Sequence, residues 1–182
     1  MKLSLGSSAL AGIVVASFAA TAFAQLAGQP VNLGPQVPDA ASVKDGLFPE
    51  DACKELEASG FKCMGLKPAI HYSLPASSFK VGSAELPALL KKQLDVFAEV
   101  LRDKGANREI RIVGHADASG TAEQNTQLSV KRAEAVKEYL AQKGADPSML
   151  VVVGVGSNDL ANPSDPTAAE IRRVEIGRQS RR

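Results

Sequence analysis

Apolar residues recur at three- and four-residue steps through Leu86, Leu89, Leu90, Leu94, Phe97, Val100 and Leu101, a spacing that predicts a helix with one buried stripe. Pro87 falls in its first turn, where a missing N–H does no harm, and Gly105 ends it. A second helix follows Thr121, which stands at capping-box spacing from Gln124. Its stripe is Leu128, Ala133, Val136 and Leu140, and Gly144 closes it. Between the two helices Glu109 to His115 alternates, with Ile110, Ile112 and Gly114 on one side of a predicted strand. Ser78 to Val81 reads as a short strand before the first helix. Leu150 to Val155 is almost continuously apolar, as expected of a strand covered on both faces. Val174 and Ile176 mark a last strand beyond a loop containing Pro and Asp. The order predicts an α+β fold: a two-layer βαβαββ sandwich in which right-handed crossovers set both helices on one face of a mixed sheet.

Upstream the periodicity fails. Lys2 is the only charge before an apolar run from Leu10 to Ala20, and Ala22-Phe23-Ala24 offers small residues to a signal peptidase, so residues 1–24 read as a cleaved signal peptide. That run is too short for a transmembrane helix, which needs about 20 apolar residues. No later stretch reaches spanning length, so the exported chain is expected in the periplasm, either free or associated peripherally with the outer membrane. Residues 25–49, with Pro30, Pro35 and Pro38, read as a flexible linker. Residues 50–76 read as a small extension with a helix from Glu50 to Ala58 ended by Gly60, and residues 178–182 as a basic tail.

Composition narrows the function classes. Lys2 is the only charged residue in the leader, so its removal takes the formal net charge from +1 to 0, which argues against nucleic-acid binding. Trp is absent and aromatics are few, which disfavours a stacking groove. Cys53 and Cys63 are the only cysteines, and an even pair this close in an exported chain predicts a disulfide. Zinc held by the pair with His71 or His115 is the alternative, but no second Cys pair or ligand spacing accompanies it. No cofactor or metal is expected.

The chemistry concentrates in Ile112 to Ala133. Asp117 stands where a strand gives way to a loop, a usual place for a binding residue. Asn125 and Arg132 are seven apart, so on a helix they share a face with Ser129 between them. An acid, an amide and a planar cation around one cleft would suit a small zwitterion, the acid taking an ammonium and the guanidinium a carboxylate. A structural Asp–Arg ion pair is the plainer reading of the same residues. His115 lies two residues from Asp117, but no Ser or Cys nucleophile stands in a motif with them. His115 therefore reads as structural, and the chain as no enzyme.

Gly114-His115-Ala116-Asp117, Gly120, Asn125, Leu128-Ser129, Arg132-Ala133, Val136 and Leu140 resemble, in order and spacing, the signature of the OmpA-like peptidoglycan-binding family (the OmpA C-terminal, Pal and MotB type). Phe79, Gly82-Ser83-Ala84 and Leu86 resemble its opening, and Gly154, Gly156 and Arg172-Arg173-Val174-Glu175-Ile176 its close, so residues 77–177 form the matching domain. The resemblance implies a βαβαββ fold and binding of the peptidoglycan stem peptide through diaminopimelate. It implies that Asp117 meets the ligand ammonium and Arg132 its carboxylate, with Asn125 and the backbone around Ala116 in support and Arg172 as a weaker candidate. Family members usually carry Thr where this chain has Ala116, and Asn where it has Ile171. An adaptor role, with residues 25–76 recruiting an envelope protein, is the alternative.

Overall fold

A computed structural model describes residues 29–75, 79–105 and 108–178. The expected leader, residues 179–182 of the tail and Ser78 of the expected first strand lie outside the described residues. The elements are β1 (Val31–Asn32), α1 (Ala40–Leu47), α2 (Pro49–Ala58), β2 (Tyr72–Leu74), α3 (Ala88–Arg102), β3 (Ile110–Gly114), α4 (Ala122–Gln142), β4 (Leu150–Gly154) and β5 (Val174–Arg178). The five strands form one mixed sheet in the order β1-β2-β5-β3-β4. β3 and β4 run parallel, as do β1 and β2, while β5 runs antiparallel between β2 and β3. From β2 onward the chain follows the expected βαβαββ order.

The long elements form where their periodicity places them. Thr121 and Gln124 make the reciprocal capping box that opens α4. Leu90, Leu94 and Phe97 of α3 share one core with Val136 and Leu140 of α4 and with Ile110, Ile112 and Ile176 of the sheet. α4 lies hard against β3 and β4. A Cβ on Gly114 would collide with the Ser129 carbonyl, and one on Gly154 with Val130 and Ser129. Those two glycines let α4, which carries Arg132, approach the ends of β3 and β4.

Three expectations need correction. The first strand of the core is Tyr72–Leu74, ahead of the expected Ser78 to Val81. Phe79 is buried but lies outside the sheet, so burial rather than pairing explains its apolar character. β4 is an edge strand, and Val151 on it is 37% exposed, so its apolar run does not reflect cover on both faces. The stretch expected as a flexible linker contains β1 and α1 and contributes Val43, Leu47 and Phe48 to the core, all at 0% exposure.

Asp39 caps α1 by accepting from the Ser42 N–H at 2.8 Å. Within α1 any side chain on Gly46 would strike the Tyr72 hydroxyl, which donates to the Ser42 carbonyl at 3.0 Å. Buried Gln93 of α3 donates to the carbonyls of Gly34 and Gln36, at 3.0 and 2.7 Å, binding the segment after β1 to the helix layer. α2 buries none of its residues and is held by charge. Asp51 accepts from Lys104 and from both ends of the Arg108 fork, each at 2.7 Å. The Arg108 fork holds the Asp51 carboxyl far below the usual range, against the opposing effect of burial and with help from Lys104. Phe48, between α1 and α2, lies beneath three cations: Lys104, Arg108 and Arg178 stand 4.8, 5.2 and 5.3 Å from its ring centre. Cys53 and Cys63 are joined in the expected disulfide.

Candidate functional site

β3 ends at Gly114, and the next three residues carry the chain across the end of the sheet. His115 N–H donates to the Arg173 carbonyl and Ala116 N–H to the Gly156 carbonyl, both at 2.9 Å. These bonds fix the start of the loop, and Asp117 follows, 4% exposed. Its Oδ1 accepts from the Ser119 hydroxyl and from the Ser119 N–H at 3.2 Å; its Oδ2 accepts from Arg172 at 2.9 Å. Burial pushes the Asp117 carboxyl up, but the bonds from Ser119 and Arg172 outweigh it and leave the group below its ordinary value.

Arg132 reaches the same corner from α4 and has no exposed surface. Its Nε donates to the Ser83 carbonyl at 3.0 Å, and its two terminal nitrogens donate to the carbonyls of His115, at 2.9 Å, and Lys80, at 3.2 Å. The guanidinium stands 4.9 Å from the centre of the Phe79 ring. Burial pushes the Arg132 guanidinium down to about 10, with Asp117 opposing the shift and Arg172 adding to it. Arg132 is thus a buried cation met by carbonyl dipoles and a ring face. The one carboxylate in the corner is paired with Arg172.

Asn125, on the first turn of α4, is 4% exposed and donates to the Gly120 carbonyl at 3.2 Å. Ser129, between Asn125 and Arg132 on the same face, accepts from the Gly156 N–H at 2.9 Å. Beside this corner opens a cleft of about 370 Å³, lined in part by Val81, Gly82, Ser119, Asn125, Leu128 and Lys131. Asn125 reaches its wall; Asp117 and Arg132 lie behind it.

The fold therefore brings all five sequence candidates to one corner, in a pairing that spacing does not reveal. Arg172, the weaker candidate by resemblance, holds Asp117, while Arg132 bonds to backbone. Ala116 is fully buried, and its N–H is taken by Gly156. Ile171, where the family usually has Asn, is fully buried next to Arg172. Two further parts of the corner are Ser119, which binds Asp117, and the Lys80 and Ser83 carbonyls, which cover Arg132. An Asx-type spacing of Asp117 to Ser119 was the available signal for the first. The carbonyls leave no signal in residue identity.

On the far side of His115 stands a second charged group. The imidazole is buried, with Nε2 3.5 Å from Glu175 and Nδ1 3.8 Å from Asp159, and neither nitrogen has a hydrogen-bond partner among the described residues. Arg173 donates to Glu175 at 2.8 Å and to Asp159 at 3.2 Å. Burial raises the Glu175 carboxyl, but the imidazole and Arg173 beside it bring it below its ordinary value. The ligand-type atoms of His115, Asp159 and Glu175 lie within 4.8 Å of one another, and Arg173 already supplies a cation to both carboxylates. The imidazole faces these acids, so it does not form the dyad with Asp117 that their spacing allowed.

A model of the OmpA family matches residues 78–173. The chain belongs to the OmpA family. The peptidoglycan-associated lipoprotein of Pseudomonas aeruginosa is 36% identical over 100 residues, which are 54% of this chain and 58% of that protein. The match thus spans under two-thirds of that relative's length. Among solved structures, the peptidoglycan-associated lipoprotein from Burkholderia pseudomallei is similar at 28% identity and a TM-score of 0.52, over 59% of this chain and 89% of that one. An OmpA-like domain from Francisella tularensis is similar at 26% identity and a TM-score of 0.51, over 62% and 75% respectively. The OmpA-family match begins at residue 78, so β1, α1, α2 and β2 lie before it, although Val43 and Leu47 of α1, Phe48, and Tyr72 and Leu74 of β2 complete its core. Among the described residues, no helix is long and apolar enough to cross a membrane.

Proposed function

We propose that this OmpA-family chain binds peptidoglycan non-covalently, through the diaminopimelate-containing stem peptide, and so anchors or positions a component of the envelope. The observation that carries the reading is the charge of the corner: two guanidinium groups, Arg132 and Arg172, share one carboxylate, Asp117. The corner is one negative charge short, and a buried cation met by dipoles and a ring face but by no paired carboxylate gains most from an incoming anion. A ligand carboxylate supplies that charge to Arg132, and the ligand ammonium takes a place on Asp117, with Asn125 in support from the cleft wall. The similarity to the Pseudomonas peptidoglycan-associated lipoprotein favours the same ligand class. Because the Lys80 and Ser83 carbonyls cover Arg132, binding requires residues 80–83 to shift and the ligand carboxylate to take their place. No chemical step is assigned to the site: the chain acts by holding.

Calorimetric titration with a diaminopimelate-containing stem peptide tests this. The parent is expected to bind saturably, and Asp117→Asn to lose about 2–3 kcal/mol of binding free energy. Arg132→Lys keeps the charge but loses the fork, and is expected to weaken binding by at least tenfold while circular dichroism still reports a folded chain. No binding by the parent, or unchanged binding by both folded variants, would sink the proposal.

A further inference from the structure

Half of the exposed large hydrophobic residues among the described residues fall in one short stretch: Leu56 at 48% exposure, Phe61 at 66%, Met64 at 93% and Leu66 at 62%, against Val31, Val37, Val81 and Val151 scattered elsewhere. Single exposed apolar side chains are ordinary, but a contiguous group marks a surface that meets something. The stretch is braced. The Cys53–Cys63 disulfide ties it to α2, and the Phe61 N–H donates to the Leu56 carbonyl at 3.0 Å. Gly65, between Met64 and Leu66, adopts φ +90°.

Charge identifies the occupant. Lys62 and Lys67 alternate with these apolar residues, both are exposed, and residues 58–68 contain no acid. Of the nearest acids on α2, Glu55 is already paired with Lys44 at 2.8 Å, which leaves Glu57 as the one other acid against Lys54, Lys62 and Lys67 within residues 54–67. Protein interfaces are depleted of lysine. A bilayer surface instead favours large apolar side chains that enter the acyl boundary and lysines that rest among anionic headgroups. We propose that residues 56–67, the end of α2 and the loop after it, form a lipid-docking surface that lays Phe61, Met64 and Leu66 into an anionic phospholipid bilayer, with Lys62 and Lys67 on its headgroups. The disulfide removes much of the ordering cost that a free loop would incur on docking. The loop and the Asp117 corner share no residue, so the chain can hold a bilayer and a second ligand at separate places.

The test uses the exported protein recovered from its host and sedimentation with vesicles of phosphatidylglycerol and phosphatidylcholine. The chain contains no Trp, so Phe61→Trp provides a single reporter. Its emission is expected to shift to the blue on binding and to be quenched by lipids brominated on their acyl chains. The combined Phe61→Ser, Met64→Ser and Leu66→Ser variant, altered only at exposed positions and verified by its melting curve, is expected to partition about 30-fold more weakly. Lys62→Gln with Lys67→Gln is expected to weaken binding to anionic vesicles about tenfold. The proposal is overturned if the parent does not partition, or if the triple variant partitions as the parent does. It is equally overturned if the parent sediments without lipid as a dimer that the triple variant abolishes, because a second copy would then be the occupant.

Discussion

If the segment before residue 76 is part of the domain core, replacing Phe48 should destabilise the whole fold. Phe48 has no exposed surface and lies in the same cluster as Leu90, Phe97 and Ile176, far downstream in the chain. Phe48→Ala removes a buried ring and leaves a cavity, a change that costs about 3–5 kcal/mol in well-packed cores. It also strips three cations of a ring face, at about 0.5 kcal/mol each where they are partly exposed. About 5–6 kcal/mol is therefore expected, a large part of the stability of a domain this size. Phe48→Leu separates the two contributions: it preserves most of the volume and is expected to cost about 2 kcal/mol. The measurement is urea unfolding followed by circular dichroism, with the parent and both variants giving a single transition of equal slope. A cost below about 1 kcal/mol for Phe48→Ala would refute the reasoning. So would a parent curve that splits in two, since residues 29–75 would then unfold as a separate appendage.

Two further outcomes follow from the packing and the charges. Gly114→Ala drives a methyl group into the Ser129 carbonyl, which neither β3 nor α4 can yield cheaply, and is expected to cost about 2–3 kcal/mol in the same assay; a neutral result would mean that α4 can lift off the sheet. Asp51 titrates far below its ordinary value of 3.8 in the folded chain, so its contribution is complete above that value and is lost as the pH falls through it toward the folded one. Stability measured by urea at a series of pH values is thus expected to fall below about pH 4, and Asp51→Asn should flatten that limb while lowering stability at neutral pH; an unchanged limb would remove Asp51 from the account.

The parts that were legible in the sequence are those whose burial has a long period. α3 and α4 announce themselves through their stripes, and the capping box of Thr121 and Gln124 locates the start of α4 to the residue. β2 is three residues long and buried on both sides, at 5%, 7% and 0% exposure, so Tyr72-Ser73-Leu74 offers no alternation to read. α1 contains Gly46, which lowers helix propensity by about 1 kcal/mol relative to Ala. The reason for that glycine is the Tyr72 hydroxyl packed against it, a contact across many residues that no local pattern encodes. The candidate site shows the same division. Residue types and spacing gathered Asp117, Asn125 and Arg132, but which arginine holds Asp117 depends on where the chain turns into β5, after Ile171.

β1 also has a mechanical consequence. It lies parallel to β2 at the sheet edge, bonded through the Val31 N–H to His71 at 2.7 Å and the Leu33 N–H to Ser73 at 3.0 Å, with Gln93 gripping the two carbonyls just beyond. Tension entering at residue 29 along the strand axis loads these bonds together, in shear, instead of unzipping them one at a time. A tether joined at that end would pull on a clasp, and the first element to yield would be the clasp. The α4–β3 corner, with its candidate ligand contacts, would keep its shape until β1 had let go.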